Sequence, residues 1–322
     1  MNLFLTGASG FVGSAVLSAW SGRHRIRAMS RSESSDATIR ELGGEPMRCS
    51  LGGVTKDQLA DCEVVVHAAA YVEDWGPPEL YWQVNVEGTR QLLSVARAAG
   101  IRRFVHIGTE AALFQGQPMV GVDESYPLAL ESPFPYSRTK AHAEKLVVES
   151  NDPARGFETI VIRPRMIWGP GDKTILVALK DMVARGKFSW LDRGMARTST
   201  THVANLVHAL DLALTHGRTG RPYFVLDDGV HSLRDFLTRY AATAGLVLPA
   251  RSMPGALARA LAAVLEPAWR SLNLQGPPPI TRFAAAIMSR DCILVDRRAR
   301  RELGYAPVIS VNDGLDALSQ QN

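Results

Sequence analysis

The chain has 322 residues, 46% hydrophobic and 21% charged, with a formal net charge of +4. That length buries a large core and suits one large domain with a smaller appended part, and the composition is that of an ordinary soluble globular protein. The excess charge is carried mostly by arginine, with no basic run interleaved with aromatics, so nucleic acid is excluded as a partner; no apolar span of about 18 residues exists, so no transmembrane helix is expected.

The chain opens Asn2-Leu3-Phe4-Leu5-Thr6-Gly7-Ala8-Ser9-Gly10-Phe11-Val12-Gly13. This reads as a short apolar strand, glycines spaced G-x-x-G-x-x-G, and an apolar helical run. A strand that turns sharply into a helix presents bare backbone amides to a pyrophosphate. Gly7 permits the tight turn. Gly10 leaves no side chain in the way of the phosphates. Gly13 lets the helix pack close to the strand. The plain alternative is a Gly-rich β–α turn with no ligand. The opening lacks a basic n-region and its apolar stretch is broken by glycines, so it reads as a strand rather than a signal peptide. Cys49, Cys62 and Cys292 are odd in number and widely spaced. They suggest reduced thiols in a cytoplasmic setting.

Residues 25–30 read as a second strand and 63–69 as a buried strand ending in small residues. A helix is expected over 79–99. Strands follow at 104–107 and at 158–163, the latter stopped by Pro164. Strands alternating with such helices imply an α/β fold with a parallel, doubly wound sheet. Ligands in such sheets bind beyond the carboxyl ends of the strands. Gly7–Gly13, Ala68–Ala70, Thr109 and Pro164 all stand at such ends.

Tyr136-Ser137-Arg138-Thr139-Lys140 opens a helical pattern that runs through Ala141, Ala143, Leu146, Val147 and Val148. Residues four apart share a helix face, so the phenol and the ammonium project side by side. A lysine there favours the phenolate and lowers a pKa that is otherwise near 10. Beyond Pro164 a loop runs to Asp172. Helices are expected near 173–185 and 203–216, and a strand at 223–227. Residues 241–290 are rich in Ala, Leu and Pro, with an amphipathic stretch around 254–265. The expected division is a Rossmann-type domain over 1–229, with a substrate-side insertion at about 165–200, and a smaller substrate-side cap over 230–322.

Seven segments span nearly the whole chain. They are Thr6-Gly7-x-x-Gly10-x-x-Gly13, His67-Ala68-Ala69-Ala70, Asn85-Val86-Glu87-Gly88-Thr89, Ile107-Gly108-Thr109-Glu110-Ala111, Tyr136-x-x-x-Lys140, Arg163-Pro164 through Gly169-Pro170-Gly171-Asp172, and Arg301-Glu302-Leu303-Gly304-Tyr305-x-Pro307. In this combination the chain resembles the extended short-chain dehydrogenase/reductases, specifically the 3β-hydroxysteroid dehydrogenase-like branch. The resemblance implies a Rossmann-type fold and an NAD(P)-dependent oxidoreductase.

Tyr136 is then the general acid/base. Lys140 also holds the nicotinamide ribose. Thr109 orients the substrate oxygen, where the family more often has a serine preceded by another serine. Asn85 supports a proton-relay water. The plain alternatives are a turn cap for Thr109 and a loop staple for Asn85. The implied cofactor site comprises Gly7, Gly10, Phe11, Val12, Gly13, Arg31, Leu51, Ala68, Ala69, Ala70, Tyr136, Lys140 and Pro164. Cys49-Ser50-Leu51 replaces the family's frequent Gly-Asp-Leu, so an adenine contact is lost or weakened. Ser30-Arg31-Ser32 puts a base, not an acid, after the second strand. NADP(H) is therefore favoured over NAD(H), because Arg31 suits a 2′-phosphate. His67, His106 and His202 lack metal-ligand spacing and read as core or loop histidines, with no metal.

Met166, Ile167, Trp168, Trp190 and the apolar 254–290 stretch suggest a pocket for a lipophilic substrate: a sterol, a β-keto acyl compound, or another lipophilic ketone or secondary alcohol. Alternatively they fill the core of the small domain. Two other functions stay open, a sugar-nucleotide epimerase or dehydratase and a non-catalytic dinucleotide sensor. The resemblance also implies a homodimer through the helices near 79–99 and 134–151. The 241–290 region is the candidate for peripheral membrane contact.

Overall fold

The computed structural model describes residues 1–320. Seven strands form the central sheet: β1 (Asn2–Thr6), β2 (Arg25–Ser30), β3 (Glu45–Arg48), β4 (Val64–His67), β5 (Arg103–Ile107), β6 (Glu158–Pro164) and β7 (Arg221–Val225). Their order across the sheet is 3-2-1-4-5-6-7. Every neighbouring pair is parallel. The order reverses between β1 and β4, where Thr6 pairs with His67. In an open parallel sheet that reversal opens a crevice at the strand ends.

Both faces of the sheet are covered. Leu3, Leu5, Val64, Val66, Val105, Ile107, Ile160 and Ile162 face one core. Phe4, Val65, Phe104 and Val161 face the other. Successive side chains on a strand point to opposite faces, so a strand buried on both sides becomes a continuous apolar run. β4, β5 and β6 therefore read plainly as strands.

The helices are α1 (Phe11–Trp20), α2 (Glu33–Glu41), α3 (Gly88–Ala98), α4 (Pro135–Glu149), α5 (Ile175–Ala184), α6 (Val203–Ala213), α7 (Leu233–Ala242), α8 (Gly255–Ser271), α9 (Arg282–Ile287) and α10 (Val311–Gln320). The expected single helix over 79–99 is three pieces. A short α-helical turn at Pro78–Tyr81 and a π-helical turn at Trp82–Glu87 lead into α3.

A third core gathers Trp168, Phe188, Trp190, Leu233, Phe236, Tyr240 and Leu315 on the substrate side. Cys292–Leu294 runs parallel to Met119–Val122 in a small four-stranded sheet. The chain then returns to the main core through Ala299, Leu303 and Tyr305. The Tyr305 hydroxyl fixes that return by donating to the Leu226 carbonyl at 2.8 Å. Cys49, Cys62 and Cys292 are free thiols. Among the described residues no helix is long and apolar enough to cross a membrane.

Candidate active site

The turn after β1 meets the geometric demands of its glycines. Gly7 has φ +72, and a Cβ there would lie 2.8 Å from the Ala69 amide nitrogen. A Cβ on Gly13 would lie 2.1 Å from the Gly7 carbonyl oxygen. Gly10 differs. Its φ and ψ are −79 and 175, which any residue adopts. A Cβ there meets only the Gly7 carbonyl, at 3.2 Å. The fold therefore asks little of Gly10, and the missing side chain leaves room outside the turn. No side chain caps α1 and its first turn holds no acid. The helix end keeps its amides and positive dipole for an external anion.

A cavity of about 1080 Å³ lies over the ends of β1, β4, β5 and β6. Gly7, Gly10, Phe11, Val12, Gly13, Arg31, Leu51, Ala68, Ala69, Ala70, Thr109, Tyr136 and Pro164 all line it. Lys140 and Asn85 stand behind the wall, buried.

Tyr136 and Lys140 lie one turn apart on α4, which Pro135 opens at its first position. Lys140 Nζ donates to the Ile107 carbonyl at 2.8 Å and lies 3.5 Å from His106 Nε2. Burial lowers the ammonium's pKa to about 8, with Glu144 opposing. The Tyr136 phenol is pushed upward, first by burial, then by the Glu110 charge. A hydrogen bond with Thr109 opposes this, and the Asp74 charge adds to it. The protein's own groups therefore hold the phenol in its protonated form. The Tyr136 ring also meets Phe283 edge-on, with centroids 5.9 Å apart.

Thr109 ends the strand and caps the turn that follows. Its Oγ1 accepts from the Ala111 amide at 3.1 Å and donates to Glu110 Oε2 at 2.8 Å. Glu110 in turn forms a buried ion pair with Arg165. Arg165 and Glu110 both line the cavity beside Tyr136. Met166, the next residue in the wall, has φ +42, a conformation a non-glycine side chain rarely adopts.

Asn85 sits in the π-helical turn. Its Oδ1 accepts from the Tyr71 amide at 2.7 Å, and its Nδ2 donates to the Tyr71 carbonyl and to Thr139 Oγ1. Asn85 staples the loop after β4 to α4, and no hydrogen bond joins it to Lys140. His67 is held between Thr6 and Thr89 at 2.8 and 3.0 Å. Burial drives its pKa down to about 3, so it is neutral. Its ring lies 5.1 Å from that of His106. Among the described residues no group of three or more His, Cys, Asp or Glu side chains is placed to hold a metal.

The apolar wall departs in part from expectation. Met166 and Ile167 line the cavity, joined by Phe283, Ala284, Ile287 and Met288. Trp168 and Trp190 do not. Trp168 is fully buried in the third core, and its indole N–H donates to Asp227 at 2.7 Å. Trp190 packs edge-on against Phe188. Both tryptophans are core residues of the substrate-side half.

Residues 3–225 match the model of the NAD dependent epimerase/dehydratase family. The chain belongs to that family. Within it, the chain is an extended short-chain dehydrogenase/reductase of the 3β-hydroxysteroid dehydrogenase-like branch, an NAD(P)-dependent enzyme acting on a CH–OH group. A 4-hydroxy-2-methyl-3-oxo-4-farnesyl-3,4-dihydroquinoline-1-oxide ketoreductase of Stigmatella aurantiaca is 41% identical, covering 99% of this chain and 96% of that one. A decarboxylating sterol-4-alpha-carboxylate 3-dehydrogenase of Dictyostelium discoideum is 27% identical over 98% of this chain and 99% of its own. The UDP-glucuronic acid 4-epimerase of Bacillus cereus, solved with NAD, shares the fold. It has a TM-score of 0.74 and 18% identity, covering 100% of this chain and 99% of that one.

The chain's residues fit a nicotinamide dinucleotide. The uncapped end of α1 suits its pyrophosphate, and Gly10 keeps the approach clear. Arg31 stands exposed on the cavity wall, with no ion-pair partner among the described residues. Ser30 turns inward and donates to the Ser32 carbonyl.

Three residues that line the cavity near Tyr136 were not singled out as site residues from sequence: Glu110, Asp74 and Phe283. Glu110 carries a sequence signal, an acid set directly before the apolar run Ala111-Ala112-Leu113. Asp74 carries none, and Phe283 carries only its place in the apolar 254–290 stretch, because only the tertiary fold brings their segments to α4.

Proposed function

We propose that this enzyme reduces a lipophilic ketone, with Tyr136 as the proton donor. One observation carries the reading. A single cavity joins the Gly-rich turn, Thr109 and Tyr136 to an apolar wall of Met166, Ile167, Phe283, Ile287 and Met288. A nicotinamide dinucleotide bound at the turn supplies the hydride. Tyr136 gives its phenolic proton to the substrate oxygen as the carbonyl carbon is reduced. Lys140, buried behind it, carries the positive charge that stabilises the phenolate left behind. Thr109 spends its one proton on Glu110, so toward the site its oxygen serves as an acceptor. It can receive the Tyr136 hydroxyl or the hydroxyl of the product alcohol and hold either in line.

The relative at 41% identity supports a substrate class: a ketone flanked by a hydroxyl and carrying a long isoprenoid chain. Arg31 supports NADP(H) over NAD(H). A homodimer through the helical faces around 79–99 and 134–151 completes the proposal. The functional test is NADPH oxidation followed by absorbance across hydroxy-ketones with long alkyl or prenyl chains, sterol ketones and β-keto acyl compounds. Turnover of at least one apolar ketone is expected. Inertness toward all of them, with tight binding of a UDP- or dTDP-sugar, would replace this reading with an epimerase.

A further inference from the structure

The ion pair between Glu110 and Arg165 is more than an apolar cavity wall requires. Both residues are 4% exposed, yet both line the cavity that holds Tyr136 and Thr109. Replacing such a pair by apolar side chains of similar volume is often neutral or stabilising, so packing alone gives no reason for it. The backbone is also bent to serve this wall. Four consecutive residues, Pro164, Arg165, Met166 and Ile167, line the cavity. An extended strand sends every second side chain to the opposite face. Met166, at φ +42, breaks that alternation in a conformation rarely open to a side-chain-bearing residue.

Glu110 is satisfied by its neighbours. Its Oε1 accepts from Arg165 Nη1 at 2.5 Å, and its Oε2 accepts from Thr109 Oγ1 at 2.8 Å. The guanidinium is satisfied only in part. It carries five N–H donors. Nη1 meets Glu110, and Nε reaches Thr198 Oγ1 at 3.4 Å. Nη2 donates to no group among the described residues. Nor is it sealed inside the protein, as the unpartnered Nη1 of Arg163 is. Arg165 therefore keeps one edge open, on a side chain that lines the cavity. Glu110 cancels its charge and fixes its plane, which leaves a directional donor rather than a bare cation. An anionic ligand there would gain little from the cancelled charge and would share the cavity with Glu110 and Asp74. A neutral oxygen would meet neither penalty.

We propose that Arg165, held by Glu110, determines specificity by donating from Nη2 to a second, uncharged substrate oxygen, on the carbon next to the ketone. Thr109 joins the two halves of the site. Its oxygen takes part in a hydrogen bond with Tyr136, and its proton holds Glu110. The line Tyr136, Thr109, Glu110, Arg165 thus sets the second donor in a fixed relation to the first. The proposal rests on the ketone-reductase reading and adds the residue that reads the flank of the ketone.

The experiment compares kcat/KM, with NADPH, for three long-chain ketones: an α-hydroxy ketone, the same ketone without the hydroxyl, and a β-keto carboxylate of equal length. The wild type should prefer the α-hydroxy ketone over the plain one by roughly 10- to 100-fold, as one charge-assisted hydrogen bond gives. The double variant Glu110→Gln, Arg165→Met strands no charge and should fold. It should bring that ratio near one, whatever happens to the absolute rates. Glu110→Gln alone leaves the cation uncancelled, so the β-keto carboxylate should gain on the plain ketone. A purely structural pair would change the rates on all three ketones alike. The proposal is overturned if the wild type shows no preference for the α-hydroxy ketone, if the ratio survives in the double variant, or if the wild type already prefers the β-keto carboxylate. The three ketones are also titrated calorimetrically without dinucleotide. Preferential binding of the α-hydroxy ketone, lost in the double variant, by a protein that reduces none of them would leave the role of Arg165 intact and remove the ketone-reductase reading. Where none is reduced, equal binding of the hydroxylated and plain ketones overturns the proposal as well.

Discussion

Glu110 places a carboxylate next to Thr109 and its charge raises the Tyr136 phenol. Reduction requires the phenol protonated, so the rate falls as pH rises through the phenol's pKa. Glu110→Gln removes the raising charge, which lowers that pKa. Lys140, which burial brings down to about 8, loses its charge first, so the phenol's own alkaline limb lies above that step, and that limb should move to lower pH in Glu110→Gln. An unmoved limb would mean that Glu110 is only structural. Breaking a buried pair costs about 3–5 kcal/mol, so Glu110→Gln with Arg165→Met, which strands no charge, serves as the companion variant. At the rim, Arg31→Ala should weaken NADPH by roughly one to two orders of magnitude and NADH little, because one charge-assisted contact is lost. Equal losses would point to stacking on the adenine instead. Tyr136, Lys140 and the glycines were legible in the sequence because their chemistry depends on short spacings along one element. Asn85 was legible as a position, but its bonds to Tyr71 and Thr139 are tertiary and no local pattern encodes them.

The elements that read most clearly are those buried on two sides. β4 is Val-Val-Val-His, and apolar burial alone marks it. β3 escaped the reading for the opposite reason. It is four residues long, contains Pro46 and two charges, and pairs only with β2 at the sheet edge. Backbone pairing, not burial, makes it a strand, and an edge strand tolerates proline. The π-helical turn at Trp82–Glu87 escaped as well, because one extra residue in a helical turn leaves the apolar pattern of the flanking turns intact. The turn between β1 and α1 allows a test that separates fold from function. Gly10→Val should fold, because its backbone angles suit valine, yet should lose dinucleotide affinity in a fluorescence titration. Gly13→Ala should lose stability outright, because its Cβ has no room beside Gly7. Unchanged dinucleotide affinity in folded Gly10→Val would reduce the Gly-rich turn to a turn.

For the molecule as a whole, the sheet's reversal point and helix α9 converge on one crevice. The doubly wound sheet followed from the alternation of strand and helix. The wall formed by α9 was legible only as part of the apolar 254–290 stretch, since nothing local in Phe283 or Ile287 distinguishes a cavity residue from a core one. The same limit separated Met166 and Ile167, which face the cavity, from Trp168 and Trp190, which do not. Assembly is testable by light scattering: a homodimer is expected at micromolar concentration, and a monomer there would contradict the helical interface. The central claim is that this crevice binds a dinucleotide and uses Tyr136 to protonate a lipophilic ketone. Steady-state turnover of Tyr136→Phe, measured beside its dinucleotide affinity, tests it most directly. Turnover should fall by roughly two to four orders of magnitude with dinucleotide affinity retained, whereas near-normal turnover would contradict the account.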